Sequence, residues 1–537
     1  MNETVLNQPP PLEDYDAYAA DPWIAAAVRR ANAGWIEGAA SDLGRFVGSA
    51  GAQALAATAN RNVPQLKTHD RYGRRIDLVE YDPAYHALMG RAISAGVHSL
   101  AWKRSGDGFT SRAVLFYLWN QLEQGTSCPV TMTFASIPIL EHAPEIARSW
   151  RPKILADAYD PRPVPVDDKA GATIGMAMTE KQGGSDLRAV QSVATKTGDG
   201  YLLDGHKWFC SAPMSDAFFT LARLPEGVTC FFVPRSLPDG TRNNFAIQRL
   251  KDKCGNRSNA SSEIEYHGTH AWLVGAPGRG IATLIEMAHH TRFDITVAIA
   301  SMMRAALNQA IHHARHRSAF GKNLVDHALM TNVLADLALE AEAATLLAFR
   351  LAQAFDASAA DPRERDLQRI LTPIAKYWLC KRMTPVAVEA MECLGGNGYV
   401  EESPLSRLYR EAPLNGIWEG SANVICLDVL RAIDRSPESL AALVAEMAPE
   451  EGDRIHERLG DVKTALTDPV VAESQARAIV ETLAKCMQAS LMRRYSGDAA
   501  ANAFVESRLG NDGLRTLGTL APGVDAAAIV ERAALRA

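Results

Sequence analysis

Long apolar runs are missing from this chain: no stretch reaches the roughly 18 residues a membrane span needs, so a bilayer setting is not expected. Cysteine is scarce. The 537 residues hold eight, none in a Cys-x-x-Cys spacing, which excludes a disulfide framework and fits a reducing compartment. Basic charge is not in excess, since 56 Lys and Arg stand against 62 Asp and Glu for a net −6. No global positive field draws in nucleic acid or anionic lipid. The first residues lack the basic and apolar regions of a signal peptide, so a cytoplasmic protein is expected. Several site signatures are absent too. No Gly-x-Gly-x-x-Gly opens a βα unit, and there is no P-loop, no Gly-x-Ser-x-Gly and no His-Glu-x-x-His. His312 and His316 are four apart, and His289 and His290 adjacent, but no acidic partner is spaced to complete a metal site. They read as polar helix faces, and no metal is expected.

What is present is an ordinary globular mixture, 47% hydrophobic and 22% charged, with length enough for roughly three to four domains. Four stretches differ in texture. Residues 1–170 read as an N-terminal helical domain with an N-terminal extension, apolar residues recurring at helical spacing from about 22 onward, as at Tyr85, Leu88 and Ala92. Residues 171–278 carry short apolar runs, with Gly198-Asp199-Gly200 between two of them as a hairpin signal. That predicts a β domain, sandwich or barrel. From 279 to 437 long stripes return: Ile299 to Ala314, then Met330 to Leu351, then about 364–394. Gly321 reads as the stop of the first, and Pro373 and Pro385 should start, kink or break the third. Such stripes predict a helical bundle. Residues 438–537 are Ala-rich and helical again.

Two loops attract chemistry. Met178-Thr179-Glu180-Lys181-Gln182-Gly183-Gly184-Ser185-Asp186 ends an apolar run, and its glycines and hydroxyls suit close approach to a phosphate or a planar cofactor. It serves equally as a tight turn. In Trp418-Glu419-Gly420-Ser421 a carboxylate sits among apolar neighbours, a setting that raises its pKa and suits a general base. It serves equally as the charged first turn of a helix.

Taken together with Gly205 to Ser211, Arg317 to Gly321 and Leu394 to Tyr399, these loops resemble, in order, the motifs of the acyl-CoA dehydrogenase family. The resemblance covers about residues 85–435 and implies a mostly α fold with a central β domain: an N-terminal helical domain, a β-barrel or sandwich, and a C-terminal four-helix bundle, here with an extra C-terminal helical domain. It implies FAD held by Met178, Thr179, Gly184, Ser185, Phe209, Ser211, Arg317, Phe320, Gly395, Gly396, Ser421 and Asn423. It makes Glu419 the base that takes the α-proton of an acyl-CoA, with Arg292 and Trp418 beside the substrate. Glu392, His327 and Trp418 depart from the commoner Gln, Gln and Tyr, which bears on turnover more than on flavin.

Ordinary family members are shorter. Asn7-Gln8-Pro9, Phe231 to Arg235, Leu250 to Lys253, Gly255 to Ala260 and Cys426 to Arg431 are similar to the family's longer, alkylation-response branch across nearly the whole chain. That resemblance implies a homotetramer with weak dehydrogenase activity that binds double-stranded DNA through its C-terminal region. An alternative is a fully active dehydrogenase on a short or branched acyl-CoA with no DNA role. DNA binding needs Lys and Arg against phosphate. Residues 438–537 hold eleven basic and fifteen acidic residues, net −4. Any DNA is therefore left to a local patch: Arg431, Arg493, Arg494, Arg508 and Arg515.

Overall fold

Residues 6–510, 517, 520 and 523–536 are described by the computed structural model. They fall into two units, each assembled from separated stretches of chain. One takes Met1–Ala50, Gly106–Gln121 and Arg292–Ala537; the other takes Gly51–Ser105 and Leu122–Thr291.

The second unit is organised by a sheet. Its strands are β3 (Ile174–Ala177), β4 (Val193–Lys196), β5 (Tyr201–Ser211), β6 (Ala217–Leu224), β7 (Gly227–Pro234), β8 (Phe245–Leu250) and β9 (Ser261–Val274), preceded by a hairpin of β1 (Gln65–His69) and β2 (Arg75–Glu80). The strand order is β3-β6-β4-β5-β9-β7, and β7 pairs back on β6. The sheet therefore closes into a barrel, which removes its edges. Inside it Leu203, Phe218, Phe231, Phe245, Ile264 and Tyr266 are buried together. The Asp-Gly signal marks a real hairpin: Lys196 pairs with Tyr201 across the 197–200 turn. The β1–β2 hairpin is a departure, because it interrupts a stretch whose apolar spacing reads as helical throughout.

The other unit is a helical bundle. Its main helices are Ala328–Ala357, Pro362–Cys393, Ala422–Arg435 and the Gly280–His316 helix from Arg292 onward. Pro362–Cys393 starts on an Asp361 cap whose side chain accepts from Arg363 N, with Pro362 in the first turn. It runs on through Pro373 and Pro385 rather than breaking there. Each proline removes one ladder bond, and the packing of the surrounding helices carries the helix past both. Gly321 is not a helix cap. It forms, with Phe320, the two-residue turn between β10 (Ser318–Ala319) and β11 (Lys322–Asn323), where both take positive φ, 51° and 83°.

The Ala328–Ala357 helix is buried nearly all round yet carries Asp336, Glu340 and Glu342 at 2–3% exposure. Buried carboxylates need partners. Arg382 of the Pro362–Cys393 helix meets Glu340 at 3.1 Å. The rest come from the tail. Arg508, at the end of the Asp498–Leu509 helix, pairs with Asp336 and, at 2.8 Å, with Glu340; Arg532 of the Ala526–Ala533 helix pairs with Glu342. The C-terminal helices are thus bound to the bundle by charge as well as by apolar packing.

Candidate functional site

In the barrel unit, β3 is buried along its length and delivers the Met178–Asp186 loop at its end. That loop is a tight turn, with Glu180 N donating to Gly183 O and Gly183 N to Glu180 O, both at 3.1 Å. Its shape is fixed from below. The Glu180 side chain is fully buried and accepts from Lys207 Nζ (2.6 Å), Ser192 Oγ (2.7 Å), Gln191 N (2.7 Å) and Gln182 Nε2 (2.6 Å). Burial alone would push this carboxyl up, but the Lys207 ammonium and the hydrogen bonds outweigh it and bring it down to about 2. Lys207 Nζ also donates to Leu221 O at 2.7 Å. Trp208 N donates to Thr179 O at 2.7 Å, which ties the loop to β5.

β5 then presents the other half of the surface. Phe209 and Ser211 are two apart and share its outward side, while Lys207 and Cys210 face in, across a register shift between Lys207 and Cys210. Phe209 is 49% exposed, a bare ring face. Lys251 Nζ lies 4.7 Å from that ring's centre, 3.5 Å from that of Trp208, and 2.6 Å from Glu263. Thr179 and Met178 are half-buried, and Ser185 is exposed. A Cβ on Gly184 would come within 2.5 Å of Thr179 Oγ1, so glycine keeps the loop close to that hydroxyl. The exposed ring, the hydroxyls and the close backbone fit a flavin. The roles of Glu180, Lys207 and Lys251 were not legible from the sequence. The signal the sequence did carry was their position, Glu180 inside the Met178–Asp186 loop and Lys207 inside the Gly205 to Ser211 motif.

In the bundle unit, Glu419 is half-buried on the turn between Leu414–Gly416 and the Ala422–Arg435 helix. It takes φ 58°, a left-handed conformation that a residue with a side chain adopts only under constraint. Arg292 Nε donates to Glu419 O at 2.9 Å, and Arg292 Nη1 meets Asp428 at 2.8 Å. The guanidinium expected beside substrate thus holds the backbone of Glu419, the residue expected to be the base. Trp418 Nε1 donates to Asn415 Oδ1 at 2.9 Å. Ser421 stands at the helix start without capping it, and Asn423 Oδ1 accepts from Arg477 Nε at 2.8 Å.

The remaining cofactor candidates of this unit lie on two segments joined by the N-terminal stretch. Arg317 donates to Asn7 O, Ser318 N to Asn7 Oδ1 (2.8 Å), and Asn397 Nδ2 to Gln8 Oε1 (3.0 Å). Phe320 is 97% exposed at its turn. Gly395 has φ 59° and, like Gly396, open space where a side chain would stand.

The arginine patch does not assemble as expected. Arg508 is 4% exposed and spent on buried carboxylates, so it has no face for phosphate. Arg493 pairs with Asp453 at 2.5 Å and Arg494 with Glu446 at 2.9 Å. Arg515 lies outside the described residues. Arg431 alone is exposed with no ion pair among the described residues. Its neighbours come from elsewhere. The Pro362–Cys393 and Ala422–Arg435 helices run antiparallel, since Lys376 meets Gly420 and Arg369 meets Asp428. The exposed Arg363 and Arg365 thus share an end with Arg431 and the exposed Arg435. Among the described residues no metal-binding cluster and no membrane-capable helix is found.

Comparison with known proteins returns three family models in order along the chain: the AidB adaptive-response N-terminal domain over 7–161, the acyl-CoA dehydrogenase middle domain over 175–269, and the acyl-CoA dehydrogenase C-terminal domain over 278–433. The chain is 44% identical to the putative acyl-CoA dehydrogenase AidB of Escherichia coli, over 96% of this chain and 95% of that one. It is 29% identical to acyl-CoA dehydrogenase family member 11 of Caenorhabditis elegans, over 83% and 74%. Among solved structures, Bd2924 in its apo form matches with a TM-score of 0.84 at 27% identity, covering 91% of this chain and 99% of that one. Caenorhabditis elegans ACDH-11 in complex with C11-CoA also gives 0.84, at 25% identity, covering 96% and 94%.

Proposed function

The chain belongs to the acyl-CoA dehydrogenase family, among its AidB-type members, and from that premise we propose that it is an FAD flavoprotein that oxidises an acyl-CoA at Cα–Cβ and docks double-stranded DNA in the response to alkylation damage. The observation that carries the enzymatic reading is Glu419: a carboxylate on a left-handed turn whose backbone is clamped by Arg292. Clamping fixes where the base stands before substrate arrives, and positioning is worth several orders of magnitude in rate. Thr179, Ser185, Ser211 and Phe209 would hold the flavin ring, and Arg317, Phe320, Gly395 and Gly396 would meet the nucleotide end of an FAD partly across a subunit boundary. FAD bound there supplies the acceptor for the β-hydride. Glu419 takes the α-proton, whose acidity the thioester raises, and the Cα–Cβ double bond forms as the hydride leaves. The C11-CoA held by the Caenorhabditis elegans neighbour supports an acyl-CoA as ligand.

Two further parts of the reading rest on surfaces. Phe320, Leu329 and Tyr399 are 77–97% exposed, a degree of apolar exposure that assembly into a homotetramer would cover. The arginines Arg363, Arg365, Arg431 and Arg435 would meet DNA phosphates, against an overall negative chain.

Anaerobic addition of butyryl-CoA or isovaleryl-CoA to the holoprotein tests the enzymatic part. The flavin should bleach, and Glu419→Gln should stop bleaching while FAD stays bound. No bleaching with any short or branched acyl-CoA would sink it. For DNA, log affinity should fall linearly with log salt, and a flat dependence would remove the claim.

A further inference from the structure

The turn that carries Glu419 takes positive φ at two successive positions, 58° at Glu419, where a side chain makes it strained, and 105° at Gly420, where glycine allows it. Such a turn persists only where its surroundings over-determine it. Two cations do so. Arg292 Nε donates to Glu419 O at 2.9 Å, and Lys376 Nζ donates to Gly420 O at 2.6 Å. Lys376 is 1% exposed on the Pro362–Cys393 helix. One helical turn along the same helix, Cys380 Sγ donates to Asn415 O at 3.1 Å, so one face of this helix supports both sides of the turn. A Cβ on Gly420 would come within 2.9 Å of Ile425 and 3.4 Å of Arg292, so the loop has no slack.

A lysine is seldom buried without a carboxylate partner. Here its ammonium donates to a backbone carbonyl, and the titratable and charged groups that act on Lys376 are Cys380, Arg292, Glu419 and Lys381. We propose that Lys376 is a positioning residue for the base: its ammonium fixes the Gly420 carbonyl, and through it the direction of the Glu419 carboxylate, and stands as counter-charge to that carboxylate. Burial pulls the Lys376 pKa down, with Arg292 adding to that, while Cys380 and the Glu419 carboxylate act to hold it up. This inference rests on the dehydrogenase reading for its kinetic arm but not for its structural one.

The experiment uses full-length holoprotein carrying Lys376→Met, with Lys376→Arg as the conservative control. Hydrogen exchange across residues 417–422 reads the turn without turnover. In Lys376→Met the exchange should rise about tenfold, as for the loss of one charged hydrogen bond. Flavin bleaching by butyryl-CoA should slow about 100-fold with FAD still bound. The acid limb of its pH profile should move upward, because the carboxylate has lost its counter-charge. Lys376→Arg should restore most of each. Wild-type exchange together with wild-type bleaching and an unmoved pH profile would overturn the assignment. Absence of bleaching in the wild type would end the dehydrogenase reading, and the exchange comparison would still decide whether Lys376 holds the turn. If Lys376→Met does not fold, Lys376→Gln carries the same comparison.

Discussion

Replacing Lys207 by Met tests how the Met178–Asp186 loop is held. Both side chains of the Glu180–Lys207 pair are fully buried, and their charged atoms lie 2.6 Å apart. An exposed pair would contribute no more than about 1 kcal/mol. Removing one member of a buried pair is different, because the other charge is left in low dielectric, at a cost of about 3–5 kcal/mol. Lys207→Met should therefore cost that much in denaturant stability of the barrel unit. Glu180→Gln should cost a similar amount, because Lys207 then keeps only Leu221 O. The double variant should lose far less than the sum, leaving a coupling energy of about 2 kcal/mol or more. FAD should follow, since Glu180 holds the turn that carries Thr179 and Ser185. Urea titrations followed by near-ultraviolet circular dichroism, alongside FAD absorbance after gel filtration, read both effects. There is also a pH signature. A carboxyl held down to about 2 contributes its full stabilisation above the ordinary carboxylate range, and that contribution is lost progressively as pH falls from there through about 2. The loop should therefore keep FAD at pH 4 in the wild type. Single variants costing under 1 kcal/mol, or single costs that simply add, would refute the argument.

Three other outcomes follow from the same geometry. Gly184→Ala places a Cβ 2.5 Å from Thr179 Oγ1, so FAD titration of the apoprotein should show affinity weaker by about 1–3 kcal/mol, and unchanged affinity would contradict the close-approach role. Burial pushes the Asp356 carboxyl up to about 6, against the pull of the Phe109 and Thr110 N–H groups. With the folded value raised, its stabilising contribution is present below about pH 4 and lost as pH rises through 6. Asp356→Asn should remove that decline between pH 4.5 and 7.5, and an identical slope in both proteins would refute it. Arg508→Ala strips Asp336 of its cation and should cost about 3–5 kcal/mol with DNA affinity unchanged. Arg431→Ala should change stability by less than about 0.5 kcal/mol and lower the salt slope of DNA binding by about 1. The reverse pattern would return Arg508 to the surface.

The motifs were legible because each is local: a run, a glycine and a hydroxyl within ten residues. The barrel's Asp-Gly hairpin was legible for the same reason. What stayed hidden depends on partners far away in sequence. The bond from Arg292 Nε to Glu419 O, 127 positions on, leaves no trace in the local sequence around either residue. Arg508 looks like a surface cation until Asp336 and Glu340 face it. Pro373 and Pro385 read as a start, kink or break because spacing alone does not show how strongly neighbouring helices hold a helix together across a proline. The β1–β2 hairpin was missed because its apolar spacing, Leu66 against Val79, is too short to compete with the helical stripes around it.

The carboxylates inside the Ala328–Ala357 helix set a limit on dissection. That helix is neutralised partly by residues more than 150 positions downstream, so the bundle is not a transferable module. A fragment ending near residue 437 would retain Arg382 against Glu340 but would bury Asp336 and Glu342 with neither Arg508 nor Arg532. A graft of the tail onto another bundle would carry the mirror-image fault wherever the matching acids are missing, two cations inserted without partners. Exchange of the C-terminal helices between chains must therefore move both ends of each ion pair together, or replace both with apolar residues.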